Sequence, residues 1–175
     1  MNIWHDIKYG SNNNINTIIE IPKLSRVKYE VDKDTGLIMF DRVLYSPMQY
    51  PTNYGFVPQT LWEDGDPLDV LVLAHEPLIP GCLVETRPIG VLEMKDDGES
   101  DSKILSVPVK DPRFANTKDI SDIEPHLLEE IRHFFQVYKY LQKKEVEVGE
   151  WRSREEAQKV IDQSVKLYQE KYKKK

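Results

Sequence analysis

One stretch indicates the fold most directly: VKYEVDKDTGLIMFDRVL, at residues 27–44. Its first six residues alternate, with Val27, Tyr29 and Val31 on one face and charged side chains on the other, which is typical of a half-buried β-strand. The sequence DTG at residues 34–36 is a turn signal. Residues 37–44 then return as a second strand. The stretch therefore predicts a β-hairpin.

Further strands are predicted on both sides of this hairpin. The candidates contain many β-branched residues, and turns with proline or glycine separate them. They span Thr17–Ile21, Val70–Ala74, Leu83–Arg87, Ile89–Met94 and Lys103–Val109. The first two-thirds of the chain are therefore predicted to be mainly β.

The last third of the chain is predicted to be helical. Ser121 with Glu124, and later Ser153 with Glu156, have the spacing of a capping box, and an apolar stripe at helical spacing follows each. The stripes are Leu127, Ile131, Phe134, Tyr138 and Leu141, then Ala157, Val160, Ile161 and Val165. The basic tail 171–175 is interpreted as a solvated helix end. Strands followed by two helices predict an α+β fold that is mainly β, a small closed or nearly closed barrel with both helices packed outside.

The composition is that of an ordinary globular protein. A length of 175 residues suits one hydrophobic core, so a single domain is predicted over residues 1–175. No apolar run approaches the roughly 20 residues that cross a bilayer, and Cys82 is the only cysteine. These observations predict a cytoplasmic protein without a membrane partner. The formal net charge of -6 argues against nucleic acid bound by a broad basic surface.

The residues most informative about function are EDGDPLDV, at 63–70. Asp64, Asp66 and Asp69 are close together, and Gly65 and Pro67 discourage a regular helix between them. A tight loop can direct such carboxylates to one point, but their repulsion is costly unless cations offset it. Oxygen ligands of this kind favour magnesium, calcium or manganese. A solvated acidic turn is the alternative, because these are also ordinary turn residues.

Two known acidic motifs do not fit this loop. A calcium-binding EF-hand loop that began at Asp64 would need an oxygen ligand at Leu68 and a glycine at Asp69. The haloacid-dehalogenase pattern would need an apolar strand before Asp64 and threonine or valine in place of Leu68. Both motifs are therefore excluded.

Other polar residues accompany the acidic loop. Asp96 and Asp101 lie on a second polar loop ahead of Lys103, and Glu20 lies in an otherwise apolar strand, where a carboxylate is unusual. Taken singly, the remaining candidates have ordinary structural explanations, such as cross-strand pairing, aromatic packing or a solvated lysine. These candidates are Lys28, Glu30, Arg42, Tyr50, Tyr54, Tyr138 and Lys139.

Taken together, these elements resemble the soluble inorganic pyrophosphatases of family I, of the bacterial type. The resemblance rests on DGDPLDV at 64–70, IEIP at 19–22, KYE at 28–30, DR at 41–42, YPTNYG at 50–55, Asp96 with Asp101 and Lys103, and YK at 138–139. These elements follow the family's order, and so many matches are far more specific than one short motif. The acidic stretch 145–150 departs from the more basic pattern of the bacterial relatives.

The resemblance implies hydrolysis of pyrophosphate to two phosphates. It also implies a five-stranded OB-type closed barrel with two helices and the site at its mouth. Several Mg²⁺ ions per site are expected, for which Mn²⁺ or Zn²⁺ could substitute, and the expected assembly is a homohexamer.

On this basis each candidate residue receives a predicted role. Asp64, Asp69 and Asp101 are predicted to hold the metal pair at the attacking water. Asp66 is predicted to accept the proton of that water. Asp96 and Glu20 are expected to hold further metals. The residues expected to bind phosphate are Lys28, Arg42, Tyr54, Tyr138 and Lys139, with Lys103 close by. Glu30 and Tyr50 are expected to orient these side chains.

Two other classes of function stay open at this point. One is a metal-dependent hydrolase of nucleoside polyphosphates, although the helical Nudix signature is absent from the sequence. The other is a non-catalytic OB-type module that binds single-stranded nucleic acid, which the acidic charge balance disfavours. A cation-binding structural protein without turnover is a third, lesser alternative.

Overall fold

The structure, a computed structural model, describes residues 1–11 and 13–173. Asn12 and the last two residues of the basic tail, all within the predicted 1–175 domain, lie outside the described residues. The strands in the described part are β1 Ile15–Ile21, β2 Val27–Val31, β3 Ile38–Val43, β4 Asn53–Phe56, β5 Asp69–Val72, β6 Leu83–Asp96, β7 Glu99–Ser100, β8 Lys103–Pro108 and β9 Val146–Arg152. The two α-helices are α1 Pro125–Val137 and α2 Arg154–Tyr172.

Five strands close into a ring. The order of neighbours is β1, β4, β5, β8, β6, and β6 also pairs with β1. Only the β5–β8 pair of this ring is parallel. This confirms the predicted five-stranded barrel. It also places the first residues of β5 and β8, Asp69 and Lys103, opposite each other at one rim.

Strand β6 closes the barrel because it is long enough to pair with several partners. Two separate strands were predicted here, and that prediction was wrong: the segment is one strand of 14 residues. Pro88, which suggested a break, lies at an irregularity between Pro88 and Gly90 in the pairing with β8, where a missing N–H is tolerated. The far end of β6 pairs with β7 and β9.

Strands β2 and β3 form a separate two-stranded sheet, as the alternating sequence predicts. The hairpin is attached to the barrel by a buried hydrogen bond in which the backbone N–H of Val31 donates to Glu20 Oε1 at 2.7 Å. The carboxylate of Asp32 accepts from the N–H groups of Asp34 and Thr35, at 2.9 and 3.1 Å, and fixes the turn. The hairpin therefore meets the barrel at a defined position.

Three strands, β4, the two-residue β7 and β9, were not predicted. The segment of β4 contains Gly55, a residue type that is rare in strands, but a side chain at this position would come within 1.9 Å of the carbonyl oxygen of Ile18. Glycine is therefore what allows β4 to lie against β1. Strand β9 begins within the acidic stretch 145–150 and ends at Arg152, and its residues Val146 and Val148 pack against the core.

The two helices cover the barrel with the predicted apolar stripes. Helix α1 buries Ile131, Phe134 and Phe135, and α2 buries Ala157, Ile161 and Val165 among other residues. Their hydrophobic clusters include inward and outward residues of β5, so the barrel is packed on both faces. Neither helix in the described ranges has the length and hydropathy needed to cross a membrane.

The helix ends differ in part from the sequence prediction. Ser153 caps α2 as predicted, but α1 is capped by the carboxylate of Glu124 rather than by Ser121. Leu141, predicted to lie on the buried stripe, is 56% exposed. The reason is that α1 ends at Val137, so the chain beyond Tyr138 no longer follows the helical face.

Candidate active site

A polar pocket lies at the rim where β5 and β8 begin. It contains every predicted site residue except Arg42 and Tyr50, and it has a volume of about 160 Å³. The predicted residues that line it are Glu20, Lys28, Glu30, Tyr54, Asp64, Asp66, Asp69, Asp96, Asp101, Lys103, Tyr138 and Lys139. The topology explains this convergence, because β5, β8 and β6 meet at the rim with Asp69, Lys103 and Asp96 at their ends.

A buried lysine lies at the centre of the pocket. The ammonium of Lys103, whose side chain is 2% exposed, contacts Asp69 Oδ2 at 2.7 Å, Asp101 Oδ1 at 2.8 Å and the Tyr54 hydroxyl at 3.0 Å. Burial alone would lower the pKa of Lys103, but the carboxylates of Asp101 and Asp69 raise that pKa well above its ordinary value. The lysine is therefore charged.

One ammonium does not balance the carboxylates around it. Burial raises the pKa of Asp101 to about 7, against the lowering effect of Lys103, and the nearby charge of Asp69 adds to the rise. Burial likewise raises the pKa of Asp64 to about 6, with Asp69 and Asp66 contributing. These shifts share one cause, which is negative charge crowded into a poorly solvated space. The site would gain from further positive charge.

The negative charges of two more carboxylates at this rim, Glu20 and Asp96, are not fully balanced by nearby cations and hydrogen-bond donors. Burial and the charge of Asp69 raise the pKa of Glu20 well above its ordinary value. Asp96 forms an ion pair with Lys139 through Oδ2. Its other oxygen, Oδ1, is buried and has no hydrogen-bond partner among the described residues. A buried unpaired carboxylate oxygen is costly and calls for a donor or a cation.

Asp66 lies in a more open environment than these carboxylates. Its side chain is 52% exposed and forms an ion pair with Lys33, a residue of the hairpin turn. Its backbone is fixed, because the N–H of Asp66 donates to Asp64 Oδ1 at 3.0 Å and its carbonyl accepts from the N–H of Trp62 at 2.7 Å. The acidic loop thus turns Asp64 inward and leaves Asp66 at the pocket mouth.

Lys28 belongs to the hairpin side of the pocket. It forms ion pairs with Glu30 and, at 3.1 Å, with Asp41 Oδ2. At the opposite side, Tyr138 and Lys139 follow the last residue of α1 directly, rather than lying on that helix as the sequence suggested. Both are buried, so Lys139 is not the solvated lysine of the ordinary structural explanation.

Arg42 and Tyr50 lie next to the pocket without lining it. Arg42 is paired across the hairpin with Lys28, and its Nη1 contacts Asp41 at 3.2 Å. Tyr50 is buried and packs edge-on against the Tyr54 ring, with centroids 5.7 Å apart. Asp41 contacts only Nη1 of Arg42, and the buried Nε of Arg42 has no hydrogen-bond partner among the described residues, so the guanidinium keeps free donors.

The sequence prediction missed two charged residues of this site. Lys33 lines the pocket, and Asp41 joins the ammonium of Lys28 to the guanidinium of Arg42. The hairpin register was the available signal, since it brings Lys28 opposite Arg42, next to Asp41. The approach of Lys33 to Asp66 depends on tertiary packing and has no comparable local signal.

No three carboxylate, histidine or cysteine side chains form a ready metal-binding group within residues 1–11 and 13–173. The reason is visible in the ion pairs, because lysine ammonium groups contact the predicted ligands Asp69, Asp101 and Asp96. The donor set nevertheless suits a hard divalent cation, since it consists of carboxylate oxygens in a site with excess negative charge. The unpaired Oδ1 of Asp96 points to the same need.

Comparison with known proteins agrees with this geometry. The inorganic pyrophosphatase family model matches residues 17–169. Soluble inorganic pyrophosphatase 2 of Chlamydomonas reinhardtii is 52% identical over 171 residues, which cover 97% of this chain and 89% of that protein. The inorganic pyrophosphatase of Geobacillus stearothermophilus is 51% identical over 156 residues, covering 89% and 94% of the two chains. The chain belongs to the inorganic pyrophosphatase family.

Solved structures of inorganic pyrophosphatases have the same fold. The crystal structure of inorganic pyrophosphatase from Thermus thermophilus superposes with a TM-score of 0.92 at 40% identity, covering 97% of this chain and 99% of that chain. The Helicobacter pylori inorganic pyrophosphatase gives a TM-score of 0.90 at 42% identity, covering 94% and 99%. The reaction of this inorganic pyrophosphatase is the hydrolysis of pyrophosphate to phosphate, and the family is in general metal-dependent.

Proposed function

We propose that this chain hydrolyses pyrophosphate with a metal-activated water at the pocket on the rim of the barrel, where carboxylates would hold several Mg²⁺ ions. The observation on which this depends is the crowding of Asp64, Asp69 and Asp101 in the pocket, where the buried ammonium of Lys103 contacts Asp69 and Asp101. These three carboxylates would hold the metal pair, and Asp96 and Glu20 would hold metals that arrive with substrate. Mn²⁺ or Zn²⁺ could take their place.

Magnesium, when bound, would supply Lewis acidity and lower the pKa of the attacking water. The protein's own contribution begins with Asp66, the most exposed of the three aspartates of the acidic loop. In our proposal Asp66 accepts the proton of that water. A half-exposed carboxylate without a contact to Lys103 suits this role better than Asp69 or Asp101, whose oxygens are bonded to Lys103.

The cationic and phenolic groups would bind and neutralise the phosphates. Pyrophosphate is highly charged, so charge neutralisation and positioning matter more than covalent chemistry. Burial raises the pKa of Tyr54 and Tyr138, and nearby carboxylates add to the rise, so both remain neutral hydrogen-bond donors. Phosphate ligands in this proposal are Lys28, Arg42, Tyr54, Tyr138 and Lys139, with Lys103 close by and Glu30 and Tyr50 as orienting residues.

The size of the pocket supports a small inorganic substrate. Its volume of about 160 Å³ is below the roughly 300–1,000 Å³ of pockets that enclose larger organic ligands. A nucleoside polyphosphate would leave its base and sugar outside. We further propose that the protein acts in the cytoplasm as a homohexamer and that it binds neither nucleic acid nor membrane.

A colorimetric phosphate assay tests this proposal. Purified protein is expected to release phosphate from pyrophosphate with Mg²⁺, to stop when a chelator is added, and to release little from nucleoside triphosphates. Equal rates on nucleotides would contradict the substrate assignment, and full activity with chelator would contradict the metal assignment. Gel filtration with light scattering measures the assembly, for which a mass of about six chains is expected.

A further inference from the structure

Lys33 is the one cationic residue of the pocket to which no role has yet been assigned. It lies two residues after the end of β2, and its ammonium forms an ion pair with Asp66 and lies 3.5 Å from the carbonyl oxygen of Gly65. The pair joins two parts of the chain that share no strand pairing, namely the hairpin turn and the acidic loop. Lys33 therefore closes one side of the pocket mouth.

The backbone of Lys33 is held in place from two sides. Its carbonyl oxygen accepts a hydrogen bond from Asn2 Nδ2 at 3.0 Å. On the other side, Asp32 Oδ1 accepts from the N–H groups of Asp34 and Thr35, so the turn that follows Lys33 is fixed as well. The backbone from which the Lys33 side chain reaches Asp66 is therefore held in place.

The acidic loop fixes the backbone of Asp66 but not its carboxylate. The backbone hydrogen bonds to Asp64 and Trp62 determine where the residue lies. Among the described residues, Lys33 is the only ion-pair partner of the Asp66 side chain. In contrast, the carboxylates of Asp69 and Asp101 are both held by Lys103. The direction of the Asp66 carboxylate thus depends on Lys33.

We propose that Lys33 is a positioning residue, whose ammonium holds the Asp66 carboxylate at the pocket mouth in the direction from which the attacking water gives up its proton. This inference rests on the proposed function, since it requires Asp66 to be the proton acceptor. The pair is about half exposed, and exposed ion pairs contribute little to stability because water screens them. Its consequence is therefore expected in turnover.

Steady-state kinetics on five variants, including Asp66→Asn alone, test the proposal. Lys33→Met is expected to lower kcat about three- to tenfold with KM within about twofold, because a misdirected base slows the chemical step and leaves substrate binding intact. Lys33→Arg keeps the charge and should recover most of the loss. Lys159→Met, which removes an exposed ion pair with Glu156 on α2 far from the pocket, is the matched control and should be unchanged. The double variant Lys33→Met with Asp66→Asn should be no slower than Asp66→Asn alone.

The outcomes distinguish the positioning role of Lys33 from the base role of Asp66. If Asp66→Asn is strongly impaired but Lys33→Met keeps wild-type kcat, or raises KM alone, the positioning role is wrong and the base assignment stands. Multiplicative losses in the double variant would also overturn the positioning role. If Asp66→Asn keeps near-normal turnover, the base assignment fails and the role of Lys33 fails with it.

Discussion

Two lysine–aspartate contacts in the same pocket differ in their access to water. Lys103 is 2% exposed and bonds Asp69 and Asp101 at 2.7 and 2.8 Å, whereas Lys33 is 50% exposed and pairs with Asp66, which is 52% exposed. The chemical groups are the same, and burial is what distinguishes them. We therefore expect the two contacts to have different roles.

Burial makes the cluster of Lys103, Asp69 and Asp101 sensitive to substitution of any member. Charges removed from water must be matched by partners, and removal of one partner leaves the others desolvated and unpaired. The exposed Lys33–Asp66 pair is screened by water and can rearrange at little cost. We infer that the buried cluster organises the cation-binding carboxylates and that the exposed pair serves proton transfer at the mouth.

The largest expected effect is on the buried contact. Lys103→Met should lower the free energy of unfolding by about 3–5 kcal/mol, because it leaves the buried Asp101 and the partly buried Asp69 without this counter-charge. Urea denaturation without Mg²⁺ measures the change. Lys159→Met, which removes an exposed lysine, should stay within about 0.5 kcal/mol of the wild type. A Lys103 variant as stable as that control would show that the cluster is not desolvated.

The second effect is on catalysis. Asp66→Asn should reduce kcat about a hundredfold or more, the loss expected when an acid–base group is removed, which corresponds to about 2.7 kcal/mol of activation free energy. Because the side chain is half exposed, the melting temperature should change by less than about 4 °C. Rate assays and thermal unfolding on the same preparation measure both quantities. Turnover within a few fold of the wild type would remove Asp66 from the base role.

The smallest effect is on the stability of the exposed pair. Lys33→Met should change the free energy of unfolding by no more than about 1 kcal/mol, and added salt should reduce the difference. Urea denaturation at low and high ionic strength measures it. A salt-independent loss of several kcal/mol would mean that this pair is as tightly coupled to the fold as the buried cluster, and the contrast between the two would disappear.

Local sequence predicted the parts of the fold and site that depend on local chemistry. The alternation in residues 27–32 predicted β2, and the spacing of three aspartates around Gly65 and Pro67 predicted the acidic loop. The ring of five strands confirmed the barrel. The family resemblance supplied the site residues, whose roles remain proposals.

Features that depend on distant contacts were not predictable in this way. Strand β4 contains Gly55 because the backbone of Ile18 lies against it, and only the folded barrel brings the two together. Lys33 meets Asp66 across the pocket, and an exposed lysine in a turn is ordinary in sequence. Burial of Lys139 likewise follows from the end of α1 at Val137, which the apolar stripe alone did not reveal.

The central claim is that the crowded carboxylates at the rim of the barrel bind divalent cations, and thermal unfolding with and without Mg²⁺ at constant ionic strength tests it most directly. At a Mg²⁺ concentration of 100 times its Kd, the wild type should gain about 2.7 kcal/mol of stability. Asp101→Asn should gain clearly less, and Lys159→Met should match the wild type. If Mg²⁺ left the wild type unchanged, or stabilised Asp101→Asn equally, the carboxylates would not be the cation site.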